Sequence, residues 1–300
     1  SSSILLGEVL ETYKAFSYVK HITLPPVRHY RDYIAWLQQQ NISEAEAFWR
    51  QMLAGFSAPI TLPTLGEKVA HEPAYALHSL RLPAATTTKL DELGRQHGIT
   101  LNTFFQGAWA LLLSRYSRER DVVFGATVSG RPPDLVGGER MVGLFINTLP
   151  VRAQIQPGKG VVSWLRELQA GQAAVRQYEY SLLTDVQAWS DVPRGLPLFE
   201  TILVFENYPV SEVIRQQTSG FEIEPGTVFT RTNYPLTLAV SPGPEIGLTF
   251  GYDEQRFDRD AIRRMAGHLE TLLEAIVADP TQSITRLPVL TTAEQTQILD

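Results

Sequence analysis

Cysteine is absent from all 300 residues of this chain. Its absence excludes a disulfide framework, a thiol nucleophile and a cysteine-ligated zinc or iron–sulfur centre, and it is compatible with a reducing compartment. Long apolar runs are absent too, since none approaches the roughly 18 residues that a membrane-spanning helix needs. The opening residues also lack the basic stretch and cleavage site of a secretory signal. The sequence therefore predicts a cytoplasmic protein with no membrane partner.

Positive charge is too scarce for a typical nucleic-acid-binding domain. The chain has 26 Lys and Arg against 32 Asp and Glu, a formal net charge of -6, whereas a domain that binds phosphates is expected to be basic. We therefore expect no nucleic-acid partner. Hydrophobic residues make up 44% and charged residues 19% of the chain, which is typical of a globular protein and unlike a disordered one.

Several motifs of familiar chemistries are also missing. The sequence has no GxSxG, no GxxxxGK[ST] and no GxGxxG, so neither a nucleophile elbow nor a phosphate-binding loop is predicted. Its six histidines include no i, i+4 pair and no carboxylate at a ligand spacing, and we predict no metal site. A Ser–His–Asp arrangement stays open, although no motif marks one.

Apolar periodicity predicts an alternation of helices and strands, which is typical of the α/β class. The expected helices cover about 3–17, 29–54, 84–97, 102–117, 161–179, 182–189 and 260–278. The expected strands cover about 78–82, 121–128, 145–155, 201–206, 220–224, 234–241 and 245–252. We expect Asp258 and Asn102 to cap helices, and Ser43 to form a capping box with Glu46. Residues 57–74 are expected to form a loop.

Polar residues follow or begin three of the expected strands. Gly130 and Arg131 end a buried strand, where a glycine lets backbone approach a ligand and a guanidinium can hold a carboxylate or phosphate in a fork. The alternative is a tight turn with an Arg salt bridge. Asn147 and Thr148 are either polar groups satisfied within the core or ligand contacts. Asn233 is at a position where a turn residue is usual.

Two longer segments carry a resemblance to a known family. Residues 30–36, YRDYIAW, resemble the motif YxDYAxW, and residues 142–152, VGLFINTLPVR, resemble the motif VGxFINTxPxR. Residues 129–131 are similar to an SGR turn, 195–200 to a P-F-E segment and 231–236 to an RxxxNPL segment with an inserted Tyr. All of these motifs belong to condensation domains of nonribosomal peptide synthetases, and the resemblance covers nearly the whole chain.

The resemblance implies a fold and a reaction. Condensation domains belong to the chloramphenicol-acetyltransferase-like superfamily, in which two lobes enclose a tunnel, so we expect a sandwich lobe with a mixed sheet flanked by helices. The implied reaction is amide bond formation, in which the amine of an aminoacyl thioester attacks an acyl or peptidyl thioester. The implied partners are donor and acceptor peptidyl carrier proteins, each presenting a phosphopantetheine arm, and no cofactor is expected to be bound directly.

The catalytic signature of the family, HHxxxDG, is not found in this sequence. The resemblance aligns Ser1 just after that signature, so we expect the catalytic histidine upstream of Ser1, no catalytic residue within the chain, and no activity for this piece alone. Residues 1–18 are expected to be a helix of a missing N-terminal lobe, 19–285 the C-terminal lobe, and 286–300 a linker toward an adjacent adenylation domain.

The resemblance also implies roles for particular residues. The residues expected at the substrate tunnel are Arg131, Asn147, Thr148 and Asn233. The residues expected to shape the floor loop and its surroundings are Gly130, Gly143, Phe145 and Pro235. Two alternatives stay open: an epimerization or cyclization relative of the same fold, and a non-catalytic module that binds carrier proteins.

Overall fold

The computed structural model describes residues 1–18, 21–24, 26–62, 75–206 and 231–299. Its helices are α1 (Ser2–Ser17), α2 (Arg31–Leu37), α3 (Ile42–Leu53), α4 (Ala84–His97), α5 (Leu101–Ser117), α6 (Val161–Val175), α7 (Leu183–Trp189), α8 (Arg259–Ala278) and α9 (Thr292–Leu299). Its strands are β1 (Tyr75–Arg81), β2 (Asp121–Val128), β3 (Asn147–Gln154), β4 (Thr201–Phe205), β5 (Leu236–Ser241) and β6 (Gly247–Asp253). The strand expected at 220–224 lies outside the described residues, as does most of the loop expected at 57–74.

The six strands form one mixed sheet in the order β1-β6-β5-β4-β2-β3. The central strands β2, β4 and β5 run parallel to one another, whereas β1, β6 and β3 pair antiparallel with their neighbours. Parallel strands need crossover connections, and the connection from β2 to β4 includes helices α6 and α7. The predicted α/β class, with a mixed sheet flanked by helices, is confirmed.

One face of the sheet carries the main hydrophobic core. Helices α4, α5, α6 and α8 pack there against the apolar side chains of the strands. Trp109 of α5 is fully buried, and its ring lies 6.2 Å from that of Phe250 of β6. Gly107 allows α5 and α6 to come close, because a Cβ at that position would lie 2.3 Å from Leu165 Cδ2. Residues 103–114 of α5 are all buried. Apolar residues therefore lie on every side of this helix and not on one face alone.

The opposite face is covered over β2, β3 and β4 by α3 and α7. Trp49 of α3 is fully buried and donates its indole N–H to Ser181 Oγ at 2.9 Å. Arg152 of β3 fixes the end of α3. Its guanidinium forms a fork on the Asp121 carboxylate at 2.9 and 2.6 Å, and it also donates to the carbonyls of Met52 and Ala54 at 2.9 Å each.

The helix expected over 29–54 is two helices, and the expected capping box is displaced. The chain leaves the helix after Leu37 and starts α3 at Ile42. Asn41, not Ser43, is the cap: its side-chain oxygen accepts from Glu44 N–H at 3.2 Å, and its amide donates to Glu44 Oε1 at 2.7 Å. Asn is as good a cap as Ser, and it lies one residue before the first helical turn.

The cap expected at Asn102 is also wrong. Thr100 is extended, with φ -78 and ψ 153, and its Oγ1 accepts from Thr103 N–H at 3.2 Å. Asn102 lies inside the first turn, where its side chain cannot reach the free N–H groups of the helix start. By contrast, the expected cap at Asp258 is confirmed, since its carboxylate accepts from Ala261 N–H at 2.5 Å.

Several element boundaries differ from the prediction. Strand β1, for example, begins at Tyr75 rather than 78. Strand β3 begins at Asn147 rather than 145, because Phe145 turns into a separate aromatic cluster. Helix α6 ends at Val175 and passes into a short 3₁₀ turn at Arg176–Tyr178. Helix α9 lies within residues 286–300, the segment expected to be a linker.

Replacing Thr100 by Ala should destabilise the chain by about 1 kcal/mol, because the cap at the start of α5 is lost. Asn102→Ala is the matched control two residues away and should change the free energy of unfolding by less than about 0.5 kcal/mol. Urea denaturation of both variants checks this. Equal losses for the two variants would contradict the placement of the cap.

Candidate functional site

Six of the eight predicted site residues meet where β2 ends and β3 begins. The two strands are antiparallel neighbours, with Thr127 opposite Thr148 and Val128 opposite Asn147. The loop 129–146 connects them and carries the other four of these six residues. Asn233 and Pro235 precede β5, which is separated from β2 by β4. No hydrogen bond or ring contact within the described residues joins them to the other six.

Gly130 makes the tightest approach at this site. Its φ is +61°, a left-handed conformation that other residues adopt at a cost. A Cβ at this position would lie 1.8 Å from the carbonyl oxygen of Phe145. The glycine is therefore required both by the turn and by contact between the two ends of the loop.

The side chain of Arg131 contacts other residues of the loop 129–146. Its guanidinium lies over the Phe145 ring, 4.1 Å from the centroid. It donates to the carbonyl of Met141 at 3.0 Å, to the carbonyl of Gly138, and to Ser1 Oγ at 3.3 Å. Burial lowers the pKa of Arg131, while nearby Glu139 raises it. The tight-turn interpretation thus describes its contacts best, with backbone carbonyls in place of a salt bridge.

Ser1 and Tyr30 attach two other segments to the loop at Gly143. Ser1 Oγ accepts from Gly143 N–H at 3.0 Å and donates to Gly143 O at 2.6 Å. Tyr30 Oη donates to the carbonyl of Leu144. A Cβ on Gly143 would lie 2.1 Å from Tyr30 Cδ2, so this glycine makes room for the aromatic ring.

An aromatic cluster joins the two segments that carry the resemblance. Tyr30 meets Phe145 edge to face at 5.2 Å, and Tyr33 packs on Phe145 at 4.6 Å. Tyr33 also stacks on Trp36 at 6.0 Å, and Trp36 donates to Asp134 Oδ2 at 3.2 Å. Aromatic pairs at these distances add to the stability gained from burial. The segments 30–36 and 142–152 therefore form one packed unit.

The side chain of Asn147 is fully engaged by its neighbours. Its amide donates to the carbonyls of Glu179 and Ser181 at 2.9 and 2.7 Å, and its oxygen accepts from Thr148 N–H at 2.8 Å. It thereby fixes the turn 179–181 against the start of β3. Thr148 is half-buried beside it.

Glu179 is a site residue that the sequence reasoning missed. Its carboxylate accepts a hydrogen bond from Gly130 N–H, and burial raises its pKa, although this hydrogen bond and nearby Arg176 act in the opposite direction. One signal could have found it. Glu179 follows the end of a helix, where the helix dipole disfavours a carboxylate, and it is flanked by Tyr178 and Tyr180.

Asn233 and Pro235 occupy a different part of the sheet. Asn233 is exposed. Its neighbour Tyr234 stacks on Phe199 at 5.5 Å, and burial raises the pKa of Tyr234. The carbonyl of Pro235 accepts from Asp253 N–H at 3.0 Å, which aligns the start of β5 with the end of β6.

The described part of the chain offers neither a metal site nor a membrane span. No group of three or more His, Asp or Glu side chains is arranged there to hold a metal ion. Within the same residues, no helix combines the length and the apolar character needed to cross a bilayer.

Comparison with known proteins identifies the family. The model of the Condensation domain family matches residues 1–299, so the chain belongs to that family, as its motifs predict. A linear gramicidin synthase of Brevibacillus parabrevis is 45% identical over 307 residues, covering 100% of this chain and 6% of the relative. The chain spans well under a tenth of the length of the linear gramicidin synthases that it matches.

Solved structures share the fold. The X-domain from teicoplanin biosynthesis has a TM-score of 0.76 at 24% identity, covering 96% of this chain and 68% of that chain. The first condensation domain of the calcium-dependent antibiotic synthetase has a TM-score of 0.75 at 16% identity, and the match covers 97% of this chain and 64% of that chain. Identities this low bear on the fold alone.

Gly130→Ala should be strongly destabilising, by more than about 3 kcal/mol, because strain in the left-handed region adds to a backbone clash. Gly98→Ala is a matched control: its φ is +66° and a Cβ there would meet nothing within 4 Å. It should cost about 1–2 kcal/mol. Urea denaturation measures both. Similar costs would show that the contact with Phe145 is unimportant.

Glu179→Gln should stabilise the chain at neutral pH. The pKa of Glu179 is raised above its ordinary value of 4.5, so the folded state binds this proton more tightly, and the resulting stability is lost as pH rises through the raised pKa. Gln keeps an acceptor for Gly130 N–H but does not titrate. Urea denaturation from pH 4 to 7 measures the increase in free energy of unfolding over the parent, and this increase should shrink toward pH 4. An increase that does not depend on pH would contradict a destabilising charge on Glu179.

Proposed function

We propose that this chain forms most of a condensation domain that makes amide bonds between carrier-bound thioesters. The acceptor amine attacks the donor thioester carbonyl, a C–N bond forms, the C–S bond breaks, and the amine proton reaches the departing phosphopantetheine thiolate. The observation that carries the proposal is the contact between segments 30–36 and 142–152, which meet at 4.6 Å through Tyr33 and Phe145. These are the two segments that most resemble the family motifs.

The role proposed for this chain is geometric. The general base or positioning histidine would come from an HHxxxDG segment before Ser1, and no residue of the chain is assigned to proton transfer. Arg131, Asn147, Thr148 and Asn233 are proposed to border the tunnel in which the two thioesters meet. Holding two reactants in a near-attack geometry can supply several kcal/mol of the barrier. The contacts that hold the loop 129–146, from Arg131 to Met141 and from Phe145 to Tyr33, support that role.

Helix α1 supports the expectation that residues 1–18 pack on another lobe. Leu5, Val9 and Phe16 are 48%, 62% and 78% exposed, and exposed apolar side chains in one element mark an interaction surface. The occupant we propose is the lobe formed by residues preceding Ser1. Residues 19–285 would then form the C-terminal lobe.

The remaining partners follow from the same proposal. Donor and acceptor peptidyl carrier proteins would present phosphopantetheine arms to the tunnel, and the domain itself would bind no cofactor. Residues 286–300 are proposed to lead toward an adenylation domain. A cytoplasmic location suits carrier-bound chemistry and the absence of cysteine from the chain.

The test is a condensation assay on the synthetase module that contains this chain, with loaded donor and acceptor carriers and detection of the product thioester. We expect an amide product, and none from the chain alone. Asn147→Ala should lower the rate at least about tenfold, since small displacements of a positioning group cost this much. Gln154→Ala, at the exposed end of β3, is the control and should leave the rate unchanged.

Other outcomes would contradict the proposal. An inverted or cyclized donor with no new amide would indicate an epimerization or cyclization relative. Carrier binding without turnover by the complete module would indicate a non-catalytic carrier-binding module.

A further inference from the structure

A buried histidine outside the candidate site joins three helices. His268 of α8 is 8% exposed. Its Nδ1 lies 2.9 Å from Tyr116 Oη of α5, and its Nε2 lies 2.9 Å from Glu294 Oε2 of α9. Both ring nitrogens therefore have a partner, and a single line of polar contacts runs from α5 through α8 to α9.

Glu294 also organises the start of its own helix. Its Oε2 accepts from Thr291 N–H at 2.9 Å and from Thr291 Oγ1 at 2.8 Å, while Glu294 N–H donates to Thr291 Oγ1 at 3.3 Å. Burial alone would raise the pKa of Glu294, but hydrogen bonds from Thr291 and His268 outweigh it and lower the pKa. The carboxylate is thus held in its charged form.

The proton positions follow from the chemistry of the three groups. An ionised carboxylate only accepts hydrogen bonds, so His268 Nε2 carries a proton and donates to Glu294. Burial raises the pKa of Tyr116 to about 12, so its hydroxyl keeps its proton and can donate to His268 Nδ1.

The segment that precedes α9 is held independently of His268. Ile284 and Leu287 are 0% and 3% exposed and belong to the main core. Ile284 N–H donates to the Lys159 carbonyl at 2.9 Å, and Arg115 donates to the Thr285 carbonyl at 2.8 Å. These contacts fix residues 281–289 by backbone pairing and apolar burial.

The described side chains of α9 offer little else to hold this helix. Among the α9 side chains that the structure describes, only Glu294 forms a hydrogen bond to another helix. Ile298 is 69% exposed, and the other described side chains apart from Glu294 are exposed as well. At Gly267 of α8 a Cβ would lie 3.3 Å from Thr291 Cγ2, so the absence of a side chain there lets the start of α9 approach.

We propose that α9 can detach from α8, and that the contacts of Tyr116, His268 and Glu294 keep it docked there. These contacts are called the clasp below. Loss of the Glu294–His268 bond would release α9 while α8 and residues 281–289 stay in place. The clasp would then set the direction in which the chain continues beyond α9. This inference stands apart from the proposed condensation chemistry, because it involves no thioester and none of the residues of the loop 129–146.

The test uses the absence of cysteine from the chain. Cysteines introduced by Gln297→Cys on α9 and Glu92→Cys on α4 carry the only spin labels, and their distance distribution reports where α9 lies. Amide hydrogen exchange of residues 292–299 and of α8 is measured in the same proteins. Parent protein should give one narrow distance distribution.

Three variants separate docking from helix capping. Glu294→Ala removes the clasp and the cap, Thr291→Ala removes the cap alone, and His268→Gln weakens the clasp from α8 with the cap intact. Thr296→Ala, on the exposed side of α9, is the matched control. Glu294→Ala and His268→Gln should broaden the distance distribution, and Glu294→Ala should speed exchange in α9 about 10- to 100-fold, as expected for the loss of a charge-assisted hydrogen bond.

The contrary results are equally definite. An unchanged, narrow distance distribution in Glu294→Ala would overturn the proposal. Exchange that rises equally in α8 and α9 would overturn it too, because α9 would then be part of the cooperative fold. Broadening in Thr291→Ala as large as in Glu294→Ala would assign the effect to capping. A failure of the condensation assay would leave these distances unaffected, so the two proposals are tested separately.

Discussion

The close approach of Gly130 to the backbone of Phe145 is the constraint on which the rest of the site depends. It closes the loop between β2 and β3, with no room for a Cβ between the two segments. Once the loop is closed, Phe145 faces inward, Arg131 lies on its ring, and Tyr30 and Tyr33 pack against its other sides. Asn147 then holds the turn 179–181 against the same strand.

The contacts also change how the family motifs are understood in this chain. The family motifs suggest that Arg131 and Asn147 contact substrate. In the structure, their polar atoms donate hydrogen bonds to backbone carbonyls of the protein. A side chain can serve a reaction by fixing geometry, since positioning groups act through the arrangement they hold. In this account the motifs build a packed boundary to the site.

Local sequence rules predicted elements whose determinants are local. The strand Asp121–Val128 has a nearly continuous apolar run, and helix α4 ends at a glycine in the left-handed region, so the bounds of both were predicted correctly.

The cap at Thr100 was missed because two polar residues near one helix start compete, and only backbone geometry decides between them. Glu179 was missed because its role comes from Gly130, which is distant in sequence. The contact of Tyr33 with Phe145 has the same long-range origin, and only the family resemblance linked the two segments to each other.

The central claim is that segments 30–36 and 142–152 form one interlocked unit. A double-mutant cycle on Tyr33→Leu and Phe145→Leu tests it most directly, with free energies of unfolding from urea denaturation of the parent, both single variants and the double variant. The account predicts a coupling free energy of about 0.5–1.5 kcal/mol between the two rings. Additive losses, with coupling below about 0.3 kcal/mol, would contradict it.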